Sequence, residues 1–163
     1  MLTNSLPHWG RMTFACLIFA LAIPAASAAT YYVRADGGSA AQCNGQTNAA
    51  YPGTGVNRAC AWNHPFVALP PGGTPRIRGG DTLHIGTGNY RMGYGAPNTQ
   101  NCSRNDSGSC HMSPIPSGPT PAQPTRIIGQ GHAQGCTAAP ELWGTEGASM
   151  VVNMHGSSNV ELA

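Results

Sequence analysis

Gly79-Gly80-Asp81-Thr82-Leu83-His84-Ile85-Gly86-Thr87-Gly88-Asn89-Tyr90 is the most sharply patterned stretch of this 163-residue chain. A Gly-Asp turn opens it, Leu83 and Ile85 alternate with Thr82 and His84, and Gly86-Thr87-Gly88 interrupts the run before Tyr90. Alternation at period two between glycine turns predicts a short strand with Leu83 and Ile85 on one face. In the opening turn the Asp81 side chain is expected to cap backbone amides, the usual use of aspartate in a turn.

The same signature recurs on either side. Downstream, Thr125-Arg126-Ile127-Ile128-Gly129, Met150-Val151-Val152-Asn153-Met154 and Asn159-Val160-Glu161-Leu162 read as short strands, with Gly156-Ser157-Ser158 between the last two. Upstream, Thr30-Tyr31-Tyr32-Val33 carries the aromatic and branched residues that strands favour, and Asp36-Gly37-Gly38-Ser39 is expected to end it. Residues 36–75 are irregular. Within them Trp62, Phe66 and Leu69 fall at spacings of four and three, which predicts a short turn packing all three inward, stopped by Pro70-Pro71-Gly72-Gly73. Residues 93–124 form a long excursion whose proline-rich part, 113–124, is expected to be an extended surface loop, because prolines at that density exclude helix and central strand. No segment sustains a helical period, so the chain reads as all-β.

The unit from Gly80 to Tyr90 resembles the opening coil of a right-handed parallel β-helix of the pectate-lyase-like kind, where a Gly-Asp, an alternating strand and a Gly-x-Tyr commonly start the solenoid. Pro124–Gly129 resembles a following strand-and-turn unit and Val151–Leu162 a further coil. The resemblance, to the front end of secreted bacterial β-helix proteins of unassigned activity, covers residues 30–163. It implies an irregular N-terminal cap over residues 29–78 and first coils over 79–163. Low aliphatic content is tolerable in such a stack, because each coil buries only a few inward residues. The chain stops at Leu162-Ala163 in mid-strand with no C-terminal cap, so a longer protein is expected. The alternative is a small disulfide-stapled domain of the β-sandwich kind, with Gly156-Ser157-Ser158 as a hairpin loop.

Residues 1–28 read as a removable secretory signal. Arg11 precedes the apolar run from Phe14 to Ile23, Pro24 breaks it, and Ala26-Ser27-Ala28 presents small residues to a signal peptidase. The run is about half the ~20 apolar residues that a membrane span requires. Cleavage after Ala28 leaves a chain starting at Ala29, outside the cytoplasm, either secreted or periplasmic. That mature part holds seven scattered arginines, no lysine and six acids, a formal charge of +1. No basic patch is present to track nucleic-acid phosphates or anionic membranes.

Leu, Ile, Val and Phe make up 16 of the 135 residues from Ala29 onward, so the core is thin and disulfides are expected to support it. Five cysteines remain after cleavage: Cys43, Cys60, Cys102, Cys110 and Cys136. Sequence proximity favours Cys43–Cys60 and Cys102–Cys110 among the possible pairings, leaving Cys136 over. Cys102, Cys110 and His111 lack the close paired spacing of a structural zinc site.

No catalytic, metal-binding or cofactor-binding constellation stands out. Glu141 and Glu146 flank Leu142-Trp143-Gly144-Thr145, a pattern compatible with glycoside hydrolysis or with sugar stacking on the indole, but more simply with two exposed loop acids. His64, His84, His111, His132 and His155 are dispersed, and Ser157 and Ser158 lack the Gly-x-Ser-x-Gly elbow of an activated serine. Superfamily members that cleave acidic polysaccharides use calcium-binding carboxylates and a basic residue on central coils, and no such cluster is visible here. The resemblance implies extracellular polysaccharide as partner. It makes a polysaccharide lyase or glycoside hydrolase the expected class if the whole protein is an enzyme, against a non-catalytic adhesive protein or a self-contained disulfide-rich domain.

Overall fold

The computed structural model describes residues 27–99, 102–103, 110–131, 138–145 and 148–163. The apolar part of the proposed signal, with Cys16, lies outside them, as do Cys136, His132 and Glu146. Among the described residues no helix is long and apolar enough to cross a membrane.

Among the described residues six strands carry the fold: β1 (Thr30–Gly38), β2 (Thr82–Ile85), β3 (Asn89–Gly93), β4 (Thr125–Gly129), β5 (Glu141–Thr145) and β6 (Val160–Leu162). They form two sheets, one ordered β1-β2-β4-β6 and the other β3-β5, and every pairing between them is parallel. From β2 onward the chain alternates between the two sheets and lays each new strand beside the previous one of the same sheet. Hairpins pair strands antiparallel, so the sandwich of hairpins is not what forms. Gly156-Ser157-Ser158 leads into β6, which pairs with β4.

Register follows the period-two pattern. Tyr31, Leu83, Ile127 and Leu162 align in one row, and Val33, Ile85 and Gly129 in another. Leu83 and Ile85 are buried while Thr82 and His84 are partly exposed, so the face expected from the alternation is the inner one. The second sheet contributes Tyr90 and Met92 to the core, and Phe66, Leu69, Ile77, Met112 and Ile115 fill the interior.

The deciding turn works through Asp81, which is only 4% exposed. Its Oδ1 accepts from the Ala29 amide at 2.8 Å and its Oδ2 from the Arg78 amide at 2.7 Å. Its carbonyl accepts from the Arg126 amide at 2.9 Å. The expected capping role is therefore met, and it joins the starts of β1, β2 and β4.

β1 does not stop at Asp36 but runs on through Gly38. Glycine permits this, because a Cβ at Gly37 would sit 2.5 Å from the carbonyl oxygens of Ala61 and Trp62. The Gly38 amide donates to Ala61 at 2.9 Å, and the Asn63 amide donates back to Gly38 at 2.8 Å. The intervening loop folds over the outer edge of β1, where the Tyr32 amide donates to the Gly45 carbonyl at 2.8 Å. A disulfide joins Cys43 to Cys60 with their Cα atoms 5.1 Å apart, as expected. The buried Trp62 indole donates to the Cys43 carbonyl at 3.0 Å and stacks on Tyr31, centroids 5.0 Å apart. Thus the strand inside the segment read as cap belongs to the main sheet, and the loop after it closes that sheet's edge.

The expected turn after Trp62 is a one-turn helix, α1 (Pro65–Ala68), with Trp62, Phe66 and Leu69 all buried. His64 caps it. Its Nδ1 accepts from the Phe66 amide at 3.1 Å, so the proton sits on Nε2, 3.1 Å from the Arg91 carbonyl to which it donates.

Three other expectations change. The proline-rich stretch is extended but not wholly on the surface: Met112, Ser113 and Ile115 are buried. The Met112 and Ile115 amides donate to Val151 and Asn153 at 3.3 and 3.1 Å. Residues 150–154 are accordingly not a strand of either sheet but the hydrogen-bonding partner of that stretch. Glu141–Thr145, read as loop, is strand β5.

Burial pushes the His64 imidazole down to about 4. Because an unfolded histidine titrates near ~6.5, the unfolded state binds more protons between those values. Stability is full above about pH 6.5 and falls as pH drops toward 4, by roughly 3 kcal/mol from this group. Urea unfolding across that range is expected to show the loss, and His64→Asn, which keeps a capping side chain, to flatten it while lowering stability at pH 7 by about 1–2 kcal/mol.

Candidate functional site

The outward row of the main sheet places Tyr32 beside His84 and His84 beside Ile128. The Tyr32 and His84 rings stack with centroids 5.4 Å apart and planes 15° from parallel. They wall a groove of about 290 Å³ that also takes in Asn48 and Gln130. Gly86 and Gln130 are shared with an adjoining groove of about 390 Å³ lined by Arg34, Asp36 and Thr87.

The floor is held by backbone. The Gly86 amide donates to Val33 at 2.7 Å and the Gln130 amide to Ile85 at 2.8 Å. From below, the Tyr90 hydroxyl donates to the Gly86 carbonyl at 2.9 Å. Gln130 Oε1 accepts from the Thr87 amide at 3.0 Å, which fixes the side chain across the junction of the two grooves.

Arg34 and Asp36 face each other two residues apart. Arg34 Nε and Nη2 donate to the two oxygens of Asp36 at 2.7 and 2.9 Å, and Arg34 Nη1 donates to Asn48 Oδ1 at 3.3 Å. Hydrogen bonding to Arg34 holds the Asp36 carboxyl below its usual range, and the same bond holds the guanidinium above its own. The pair is exposed, so its worth lies in orienting three polar side chains more than in stability. Burial lowers the His84 pKa, so at neutral pH the imidazole offers one donor and one acceptor without charge. An aromatic wall, two amide side chains, a neutral imidazole and an oriented ion pair form a surface suited to a polar, hydroxyl-rich ligand. The groove's carboxylate is committed to Arg34, whereas glycoside hydrolysis uses two carboxyl groups across the scissile bond.

The second sheet has an outer face of related chemistry. Asn89 aligns with Glu141 and Arg91 with Trp143, and the indole is 46% exposed. Glu141 and Trp143, singled out in the sequence, are therefore set on one strand face; Glu146 lies outside the described residues. A third hollow, of about 410 Å³ and lined by Ile85, Ile127, Leu142, Val152 and Leu162, is apolar and opens at the β4–β6 end.

His64 is a helix cap, His155 is exposed, and Ser157 donates to the Ile115 carbonyl at 2.6 Å. Cys102 is half-buried and Cys110 buried. Among the described residues no group of three or more His, Cys, Asp or Glu side chains is placed to hold a metal ion. The Tyr32–His84 groove was missed because its members come from positions 32 to 130. Its only sequence signal is that Tyr32 and His84 occupy outward positions of alternating strands. No protein-family model matches the chain, and comparison with curated proteins and with solved structures finds no significant match.

Burial, chiefly, with Asp36 adding to it, pushes the Tyr90 phenol up to about 12. A spectrophotometric alkaline titration is expected to show Tyr90 ionising only near that value. Tyr90→Phe should abolish this late step and lower stability by about 1 kcal/mol, the worth of the bond to Gly86.

Proposed function

We propose that this chain is part of a secreted right-handed parallel β-helix protein of the pectate-lyase-like kind, and that it binds extracellular polysaccharide along the Tyr32–His84 groove. The fold part of this proposal is supported by strands that stack in parallel and in chain order while the chain alternates between two sheets. Crossovers between parallel strands are right-handed almost without exception, which gives the hand. Placement outside the cytoplasm is supported by the Cys43–Cys60 bridge, since such bonds persist in oxidising compartments. The same proposal extends to a second bridge between Cys102 and Cys110, which peptide mapping without reduction tests.

The observation that carries the binding role is the stacked Tyr32–His84 pair set beside Asn48, Gln130 and the Arg34–Asp36 fork. Sugar rings present apolar C–H faces and a rim of hydroxyls. An aromatic wall meets the first, and oriented amides and charged forks meet the second. The exposed Trp143 face offers a second aromatic platform to a chain long enough to reach it.

Affinity electrophoresis of the exported protein through gels containing acidic or neutral polysaccharides tests this. Retardation by at least one polymer is expected, with Tyr32→Ala weakening it roughly tenfold, about 1.4 kcal/mol. Mobility unchanged across the panel, or retardation that survives both Tyr32→Ala and His84→Ala, would remove the groove from consideration.

A further inference from the structure

Ala29 is where the main sheet takes hold of the chain. Its carbonyl accepts from the Thr82 amide at 2.9 Å, and its own nitrogen donates to Asp81 Oδ1 at 2.8 Å. Just ahead of it, Ser27 and Ala28 are exposed, whereas Ala29 is partly buried. Ala28 is also the residue after which signal-peptidase cleavage is expected from the sequence. The border between exposed chain and ordered sheet thus falls on the same peptide bond as the expected cleavage.

That coincidence has a chemical consequence. While the Ala28–Ala29 bond is intact, the Ala29 nitrogen offers Asp81 Oδ1 a single proton from a neutral amide. Hydrolysis adds water across the bond: Ala28 departs with a carboxylate, and the Ala29 nitrogen takes up protons to become an α-ammonium with three donors. A cation then stands 2.8 Å from a carboxylate that is 4% exposed. Charge-assisted bonds of this type are roughly twice as strong as neutral ones.

We infer that cleavage after Ala28 seats the new α-ammonium of Ala29 on the Asp81 carboxylate, so that processing completes the fastening of β1 to β2. The inference rests on the export reading above. The surroundings of the pair are a hollow of about 240 Å³ lined by Ser27, Ala28, Tyr31, Arg76, Arg78 and, from the facing loop, Pro119 and Gln123. Tyr31, Arg76 and Arg78 are the other titratable or charged groups there, and the two arginines oppose the ammonium. The carboxylate is nearer, accepting directly from the Ala29 nitrogen.

An α-amino group ordinarily titrates near ~7.7–8.0. Paired in the folded state its pKa rises, so its contribution is complete below the ordinary value and is lost as pH climbs through the raised one. The protein is to be produced with its own leader in an exporting host, and its intact mass measured. Urea unfolding is then followed at pH 6.5 and 9.5 for the recovered chain and for the same chain N-acetylated, which keeps one amide donor but no charge. The expected results are a mature start at Ala29 and a folding constant that falls at least tenfold more between the two pH values for the free amine. Tyr31, Arg76 and Arg78 are common to both forms and cancel. Asp81→Asn with a free amine should lose the same difference; if that variant does not fold, the acetylation comparison decides alone. A start at any other residue overturns the export reading and the inference together. A start at Ala29 with equal pH dependence in both forms overturns the ion pair and leaves the export reading standing.

Discussion

The carboxylate of Asp81 is the constraint on which the rest of the structure depends. A carboxylate taken out of water is costly unless its oxygens are hydrogen-bonded, and here both accept backbone amides, from Ala29 and Arg78. Because those amides lie at the entry to β1 and in the turn before β2, satisfying the charge aligns the two strands. The backbone of the same residue reaches the third strand through Arg126. Neighbouring Gly80 donates to Thr125 Oγ1 at 2.9 Å, and that hydroxyl donates to the Pro116 carbonyl at 2.6 Å. One turn therefore sets a common starting line for β1, β2 and β4.

With the starting line set, the period of two decides what is inside. Tyr31, Leu83 and Ile127 form one inward row, and Val33 and Ile85 begin the next. Few apolar residues are needed, since each strand contributes only one or two and the next strand covers them. The edge of β1 would otherwise present unpaired backbone. The loop carrying Cys43, Cys60 and Trp62 closes it with main-chain bonds, a disulfide and an indole stacked on Tyr31. The outward rows are then free to carry polar chemistry, and Tyr32 and His84 stand next to each other because their strands are in register.

Much of the inner face was legible in the sequence. Leu83 and Ile85 announced their face by alternation, Trp62, Phe66 and Leu69 their burial by spacing, and Asp81 its turn by the preceding glycines. What the sequence did not disclose depends on neighbours far along the chain. Gly37 and Gly38 look like a strand terminator, yet glycine is what lets β1 pass against the carbonyls of Ala61 and Trp62. Prolines from 114 to 121 look like a surface loop, yet Ile115 is buried because Asn153 offers its amide a carbonyl. Glu141–Thr145 contains a glycine and an exposed tryptophan and reads as loop, and it becomes a strand because β3 lies alongside it. The groove was the least legible feature, since it exists only once three strands and the β1 loop have been brought together.

Strands distant in sequence pair in parallel around Leu83–Ile85. Interstrand nuclear Overhauser contacts in the isotopically labelled protein test this pairing most directly. The expected result is an even parallel ladder linking His84 to Tyr32 on one side and to Ile128 on the other, with the rings of Tyr32 and His84 in mutual contact. Close Hα–Hα contacts between residues 150–154 and 159–162, the mark of an antiparallel hairpin around Gly156, would contradict it.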